Sequence, residues 1–152
     1  MARATEFRAD DLLPIEPLIR RLTGKRGWLE RRTKAQRWLV ARPAAGEPEV
    51  SVELNVDEEV NNLVITLTGF EPGRPLLPSL EPKGIRTPKG WQLMADVGWV
   101  LGWRAPKRKA PEDVLRFAFR VVKALGLEPA DGRWAARVEG RPPRPGWQTD
   151  AK

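Results

Sequence analysis

The sequence predicts an α+β fold. It reads as a mainly antiparallel sheet of about five or six strands, with one long helix at 111–125 and a short N-terminal helix packed on it. Three patterns carry that reading. Residues 49–56 and 63–68 each alternate apolar and polar side chains, the period of a half-buried strand. Residues 91–104 place Trp91, Leu93, Ala95, Val97, Trp99, Leu101 and Trp103 at every second position. Residues 111–125 instead repeat apolar residues at helical spacing, on a stripe wide enough to cover a sheet.

In chain order, residues 11–23 suggest a short helix, with Leu12, Ile15, Ile19 and Leu22 on one side. Pro14 and Pro17 restrict its start to the first turn, and Gly24 suits its stop. Residues 28–32 and 36–42 flank the polar turn Thr33–Ala35 and read as a hairpin, with Trp38 and Val40 on one face. In the next strand Val50, Val52, Leu54 and Val56 point one way, and Ser51, Glu53 and Asn55 the other. Its partner turns Leu63, Ile65 and Leu67 inward and Val64, Thr66 and Thr68 outward, across the polar turn 57–62.

Residues 71–90 hold five prolines and three glycines and break regular structure; they read as an ordered crossover pinned by Leu76, Leu77, Leu80 and Ile85. The alternation over 91–104 suggests one long strand, bent at Gly98 and Gly102. A tight hairpin at Asp96–Gly98 is the competing reading. Pro111, Glu112 and Asp113 suit the first turn of the long helix, and Gly126 suits its end. A last strand over 133–138 puts Trp134, Ala136 and Val138 on one face. The chain thus divides into one domain, 1–139, and an extended, flexible basic tail, 140–152, whose RPPRP run has polyproline II character.

Composition narrows the chemistry. The 152 residues include no cysteine, histidine or tyrosine. Disulfides, thiol catalysis and cysteine-ligated zinc are excluded, and the commonest general base is missing. Arg outnumbers Lys 19 to 8, while Asn and Gln number three each. That bias fits a GC-rich genome and equally a thermophile. No apolar run is long enough to span a membrane, and the N-terminus lacks a signal-peptide core, so the expected location is cytoplasmic. Asp96 is the one carboxylate in the tryptophan-rich segment, but a structural role suits it better than catalysis. Asp57, Glu58 and Glu59 could hold a hard cation, yet read better as solvated turn acids. Ser51 and Ser79 lack a nucleophile-elbow context, and no phosphate-binding glycine loop is present. No enzyme class and no cofactor is expected.

The net charge of +7 is unevenly distributed: residues 43–72 carry seven acids and no base, between two segments of net +6 each. Self-complementary surface charge is one reading, and a basic face for a polyanion the other. Two basic clusters favour the second: Arg31, Arg32, Lys34 and Arg37, and Arg104, Lys107, Arg108 and Lys109. The first neighbours Trp28 and Trp38, the second Trp103. Cations neutralise phosphates, and exposed indoles stack on unpaired bases. Arg116, Arg120 and Lys123, with Arg141, Arg144 and Trp147 in the tail, would extend this surface. Trp91, Trp99 and Trp134 are expected in the core.

The expected function is therefore non-enzymatic nucleic-acid binding, single strands preferred. The alternative is a protein-interaction or chaperone-like module, a homodimer among its forms, using the exposed sheet face around Val64, Met94, Val100, Gly98 and Gly102. A small-ligand cup under the long helix is a third class.

Overall fold

A computed structural model describes residues 3–57, 60–68 and 74–141. The two alternating segments form antiparallel neighbours, β3 (Val50–Val56) and β4 (Val60–Leu67), with Val52 opposite Ile65 and Glu53 opposite Val64. Around them stand β1 (Thr5–Arg8), β2 (Gln36–Pro43), β5 (Gln92–Asp96), β6 (Val100–Pro106) and β7 (Arg133–Arg141). Among the described residues the sheet has seven strands in the order β1-β7-β2-β3-β4-β6-β5, every neighbouring pair antiparallel. The C-terminal strand is thus inserted between β1 and β2. Among the described residues, four α-helices accompany the sheet: α1 (Glu16–Thr23), α2 (Trp28–Thr33), α3 (Leu77–Leu80) and α4 (Pro111–Ala124).

α4 forms as its sequence demands, with proline in the first turn, Glu112 and Asp113 at the positive end of its dipole, and Gly126 at φ 74° just beyond it. Its face Val114, Leu115, Phe117, Ala118, Phe119, Val121 and Val122 is buried. It packs with α1 on one side of the sheet, against Leu39, Ala41, Val52, Leu54, Leu63, Ile65, Leu101 and Trp103. Edge-to-face ring pairs lock the ends of this layer: Phe119 on Phe7 and Trp134, Phe117 on Trp91 and Trp103.

Several expectations need correction. The sheet has seven strands, not five or six, because β1 and the split of 91–104 add to the count. Residues 91–104 form a hairpin, β5 and β6, turning through Gly98 at φ 84°. A bulge between Leu93 and Ala95 shifts the register, so the unbroken alternation does not mark one face. Residues 28–32 lie in a helix rather than a strand. The N-terminal helix starts as a 3-10 turn, Leu13–Ile15, and becomes α-helical at Glu16. The 74–90 part of the expected crossover is ordered by α3 and a 3-10 turn, with Leu76, Leu80 and Ile85 buried. β7 continues through Gly140 and Arg141, into the segment expected to be tail; residues 142–152, with Arg144 and Trp147, lie outside the described residues, as do Glu58 and Glu59. Among the described residues no helix is long and apolar enough to cross a membrane.

Candidate nucleic-acid interface

α2 exists because of one carboxylate. Glu30 accepts the Gly27 N–H through Oε1 at 3.1 Å, closing the first turn. The same carboxylate takes a two-point hydrogen bond from Arg37 on β2, Nε at 2.7 Å and Nη2 at 2.6 Å. Arg37 then reaches three carbonyls of the α1–α2 connection: Arg21 at 2.6 Å, Gly24 at 3.3 Å and Lys25 at 3.0 Å. The Arg37 hydrogen bond, then the Gly27 N–H, hold the Glu30 carboxyl at about 2 against an ordinary 4.5. Arg37, expected as a phosphate contact, is instead the post that fixes α2 against the sheet.

The remaining residues of the first cluster point outward. Arg31, Arg32 and Lys34 are exposed, and Trp28, one turn before Arg31 and Arg32, is 65% exposed. Lys34 ends α2 in the left-handed conformation, φ 58°, its N–H returned to the Glu30 carbonyl. It is the only non-glycine residue at positive φ among those described.

The second cluster is split by the fold. Trp103 is fully buried, its ring on Phe117 and its Nε1 donating to Thr87 Oγ1 at 3.1 Å, so it is closed to a base. Arg104 lies on the opposite face of β6, with Nε donating to Asn62 Oδ1 at 3.3 Å. Lys107, Arg108 and Lys109 form an exposed turn between β6 and α4. Asn61 fixes this turn, donating to the carbonyls of Pro106 at 3.2 Å and Lys109 at 2.9 Å.

The two clusters meet only in part, through Arg31 and Lys34 of the first and Lys107 of the second; Arg32, Arg37, Arg104, Arg108 and Lys109 do not line the shared groove. A groove of about 420 Å³ runs between the end of α1, α2 and the β6–α4 turn, lined by Leu22 and Val56, by the cations Arg26, Arg31, Lys34 and Lys107, and by Asp57. Arg26, which the sequence reading missed, is held there by its Nη1 on the Ala35 carbonyl at 3.3 Å. The signal for it was available: it stands two residues before Trp28, in the same basic stretch. The α4 stripe does not extend this groove. Arg116, Arg120 and Lys123 instead line a second one with Arg8, over Phe119 and Trp134, where Asp10 and Glu128 oppose them.

The other candidates fall into structural roles. Asp96 accepts the N–H groups of Leu76 at 2.7 Å and Leu77 at 3.0 Å, and so caps the start of α3. Trp38 and Trp134 are buried and Trp91 is half-buried, whereas Trp99, expected in the core, is 43% exposed at the β5–β6 tip. Ser51 is buried in β3, and Ser79 bonds the Leu76 carbonyl within α3. Part of the acidic middle segment is neutralised internally: Glu53 pairs with Arg141 at 2.9 Å, and Arg141 with Glu139 at 2.7 Å. Burial raises the Glu139 carboxyl, but the hydrogen bonds from Arg141 and Arg137 outweigh it and hold the group below its usual range.

Comparison of the chain with protein-family models, curated proteins and solved structures finds no match. The geometry alone therefore carries the functional argument.

Proposed function

We propose that the protein acts by binding nucleic acid, with single strands preferred, through the groove between α2 and the β6–α4 turn. The observation that supports this reading is convergence: Arg26, Arg31 and Lys34 share one groove with Lys107 of the β6–α4 turn, and the exposed indole of Trp28 stands on α2 one turn before Arg31. Four cations around one groove suit consecutive phosphates. An exposed tryptophan beside them suits an unpaired base, which offers a π-face that a duplex hides. α2 has only six residues, too short to fill a major groove as a reading helix. The chemistry is electrostatic with stacking, so sequence preference is expected to be weak.

The test is a fluorescence titration with single-stranded and duplex oligonucleotides at low and moderate salt. Saturable quenching by single strands, weakened by salt and lost in Trp28→Leu while binding persists, is the expected result. Binding without quenching, reproduced by heparin, would reduce the site to a charged surface. Unchanged affinity in Arg31→Gln/Lys107→Gln would remove the groove from the account.

A protein partner is the second reading, favoured by one observation. β5 is an edge strand, and Leu93, Val97 and Trp99 on it and its turn are 38%, 41% and 43% exposed. An open edge beside exposed apolar side chains suits addition of a strand from another chain.

A further inference from the structure

The groove of about 440 Å³ between the end of β1, α4 and the start of β7 shares no lining residue with the α2 groove. Its floor is apolar, formed by Phe119 and Trp134 edge to face with ring centroids 4.9 Å apart. Its charged residues are the cations Arg8, Arg116, Arg120 and Lys123 and the acids Asp10 and Glu128. Arg8 is seated by the backbone. Its Nη1 donates to the Asp131 carbonyl at 3.2 Å, and its guanidinium lies over Gly132, where a Cβ would meet Nη2 at 2.5 Å. Gly132 stands at φ 71°, so glycine here both makes the turn and leaves room for the guanidinium. The Asp131 carboxylate is taken by Arg133, through its N–H at 2.9 Å and its Nε at 3.4 Å. Arg116 pairs with Asp113 at 2.8 Å. Among the described residues Arg8, Arg120 and Lys123 form no ion pair, with Asp10 and Glu128 or with any other acid. Arg116, Arg120 and Lys123 follow one another at spacings of four and three, where like charges destabilise a helix until a counter-charge sits on them. The last α4 carbonyl, Ala124, accepts from Lys83 Nζ at 2.6 Å, which leaves Lys123 to the groove.

We infer that this groove binds a small phosphomonoester. Four cations against two acids leave an excess of two positive charges, and a phosphomonoester carries about −1.5 to −2 at pH 7. The planar guanidinium groups of Arg8 and Arg120 match phosphate oxygens two at a time, and Lys123 adds a point charge. The volume lies within the range of small-molecule sites and exceeds what a lone phosphate ion fills, so the phosphate carries an organic body. Asp10 and Glu128 are acceptors only when ionised, and they suit hydroxyl or amino donors on that body. The Phe119 and Trp134 floor suits its apolar side. A sugar phosphate and a nucleoside monophosphate share this chemistry. The site stands apart from the α2 groove, so it neither needs nor supports single-strand binding there.

The test is an amide NMR titration of the isotope-enriched full chain with adenosine monophosphate, ribose 5-phosphate and inorganic phosphate. The expected result is saturable shifts at Arg120, Lys123 and Gly132 with at least one organic phosphate, about tenfold tighter than inorganic phosphate, while Lys34 and Lys107 stay unmoved. The tighter of the two organic phosphates identifies the body. Arg120→Gln/Lys123→Gln changes two exposed side chains and should weaken binding about tenfold or more with the fold intact. Gly132→Ala should weaken it as well by displacing Arg8, and Arg8→Gln gives the same loss without touching the turn. Inorganic phosphate binding as tightly as both organic phosphates would reduce the groove to a charged patch and overturn the inference. No saturable shift up to about 10 mM ligand, shifts confined to the α2 groove, or unchanged affinity in Arg120→Gln/Lys123→Gln would overturn it too.

Discussion

Replacing Lys34 by glycine should stabilise the protein and weaken its hold on nucleic acid. Lys34 closes α2 at φ 58°, where glycine is the favoured residue and a side chain costs about 1–2 kcal/mol. Glycine returns roughly 0.5–1 kcal/mol of that through the greater freedom of the unfolded chain. Loss of a cation at the helix C-terminus returns about 0.3 kcal/mol more. The balance is a gain of about 0.5 kcal/mol, read as a higher urea midpoint at unchanged slope. Binding should move the other way. Lys34 is one of four cations lining the groove, and one lost phosphate contact lowers single-strand affinity about fivefold near 0.1 M salt. Anisotropy with a labelled oligonucleotide reads this directly. Opposite signs are the content of the prediction: a residue kept at a strained position for its charge costs stability and supplies function. A Lys34→Gly protein that is less stable, or that binds as tightly as before, would refute the reasoning.

Two of the three tryptophans beside the basic clusters, Trp28 and Trp103, should separate cleanly. Trp103→Ala, in the core on Phe117, is expected to cost about 3–5 kcal/mol in denaturant unfolding, whereas Trp28→Ala should stay within about 0.5 kcal/mol. Asp96→Ala removes the acceptor of two N–H groups at the start of α3 and should cost about 2 kcal/mol, visible as a lower melting temperature with oligonucleotide affinity unchanged. Glu30→Gln tests the anchor of α2 by pH. Its carboxyl is held at about 2 when folded against 4.5, so its contribution is complete above about 4.5 and is lost as pH falls towards 2. With a third of the side chain exposed, screening leaves about 1 kcal/mol. The stability difference between wild type and Glu30→Gln should therefore be constant at neutral pH and shrink below 4.5; a difference that persists at pH 2 would contradict the pairing.

What could be read in the sequence followed burial. β3 sits where alternation put it, because its apolar side chains turn to the α1 and α4 layer and its polar ones to the other face. β4 does so only from Leu63 on, since it starts at Val60, inside the expected turn 57–62, where Asn61 and Asn62 broke the pattern. α4 was legible from its stripe and both of its ends. The failures were long-range. β1 is four residues long with only Phe7 buried, and becomes a strand by pairing with β7 from the other end of the chain. α2 is fixed by Arg37 on the next strand, a tertiary contact that no local pattern announces. The hairpin within 91–104 hid behind an alternation that ran on through its own turn, while the bulge changed the register. The candidate site was half legible: charge located Arg31, Lys34 and Lys107, but only the fold shows that they share a groove with Arg26. It also shows that Arg37 and Trp103 hold structure.

The most direct measurement is the salt dependence of single-strand affinity for the wild type and for Arg31→Gln/Lys107→Gln, with Arg74→Gln/Arg86→Gln as a charge-matched control outside the groove. Four phosphate contacts predict a slope of about −3 in log affinity against log salt, or roughly 50-fold weaker binding from 50 to 200 mM. The groove variant should show about half that slope, and the control the full value. Equal slopes in the two variants, or no saturable binding by the wild type at 50 mM salt, would contradict the account.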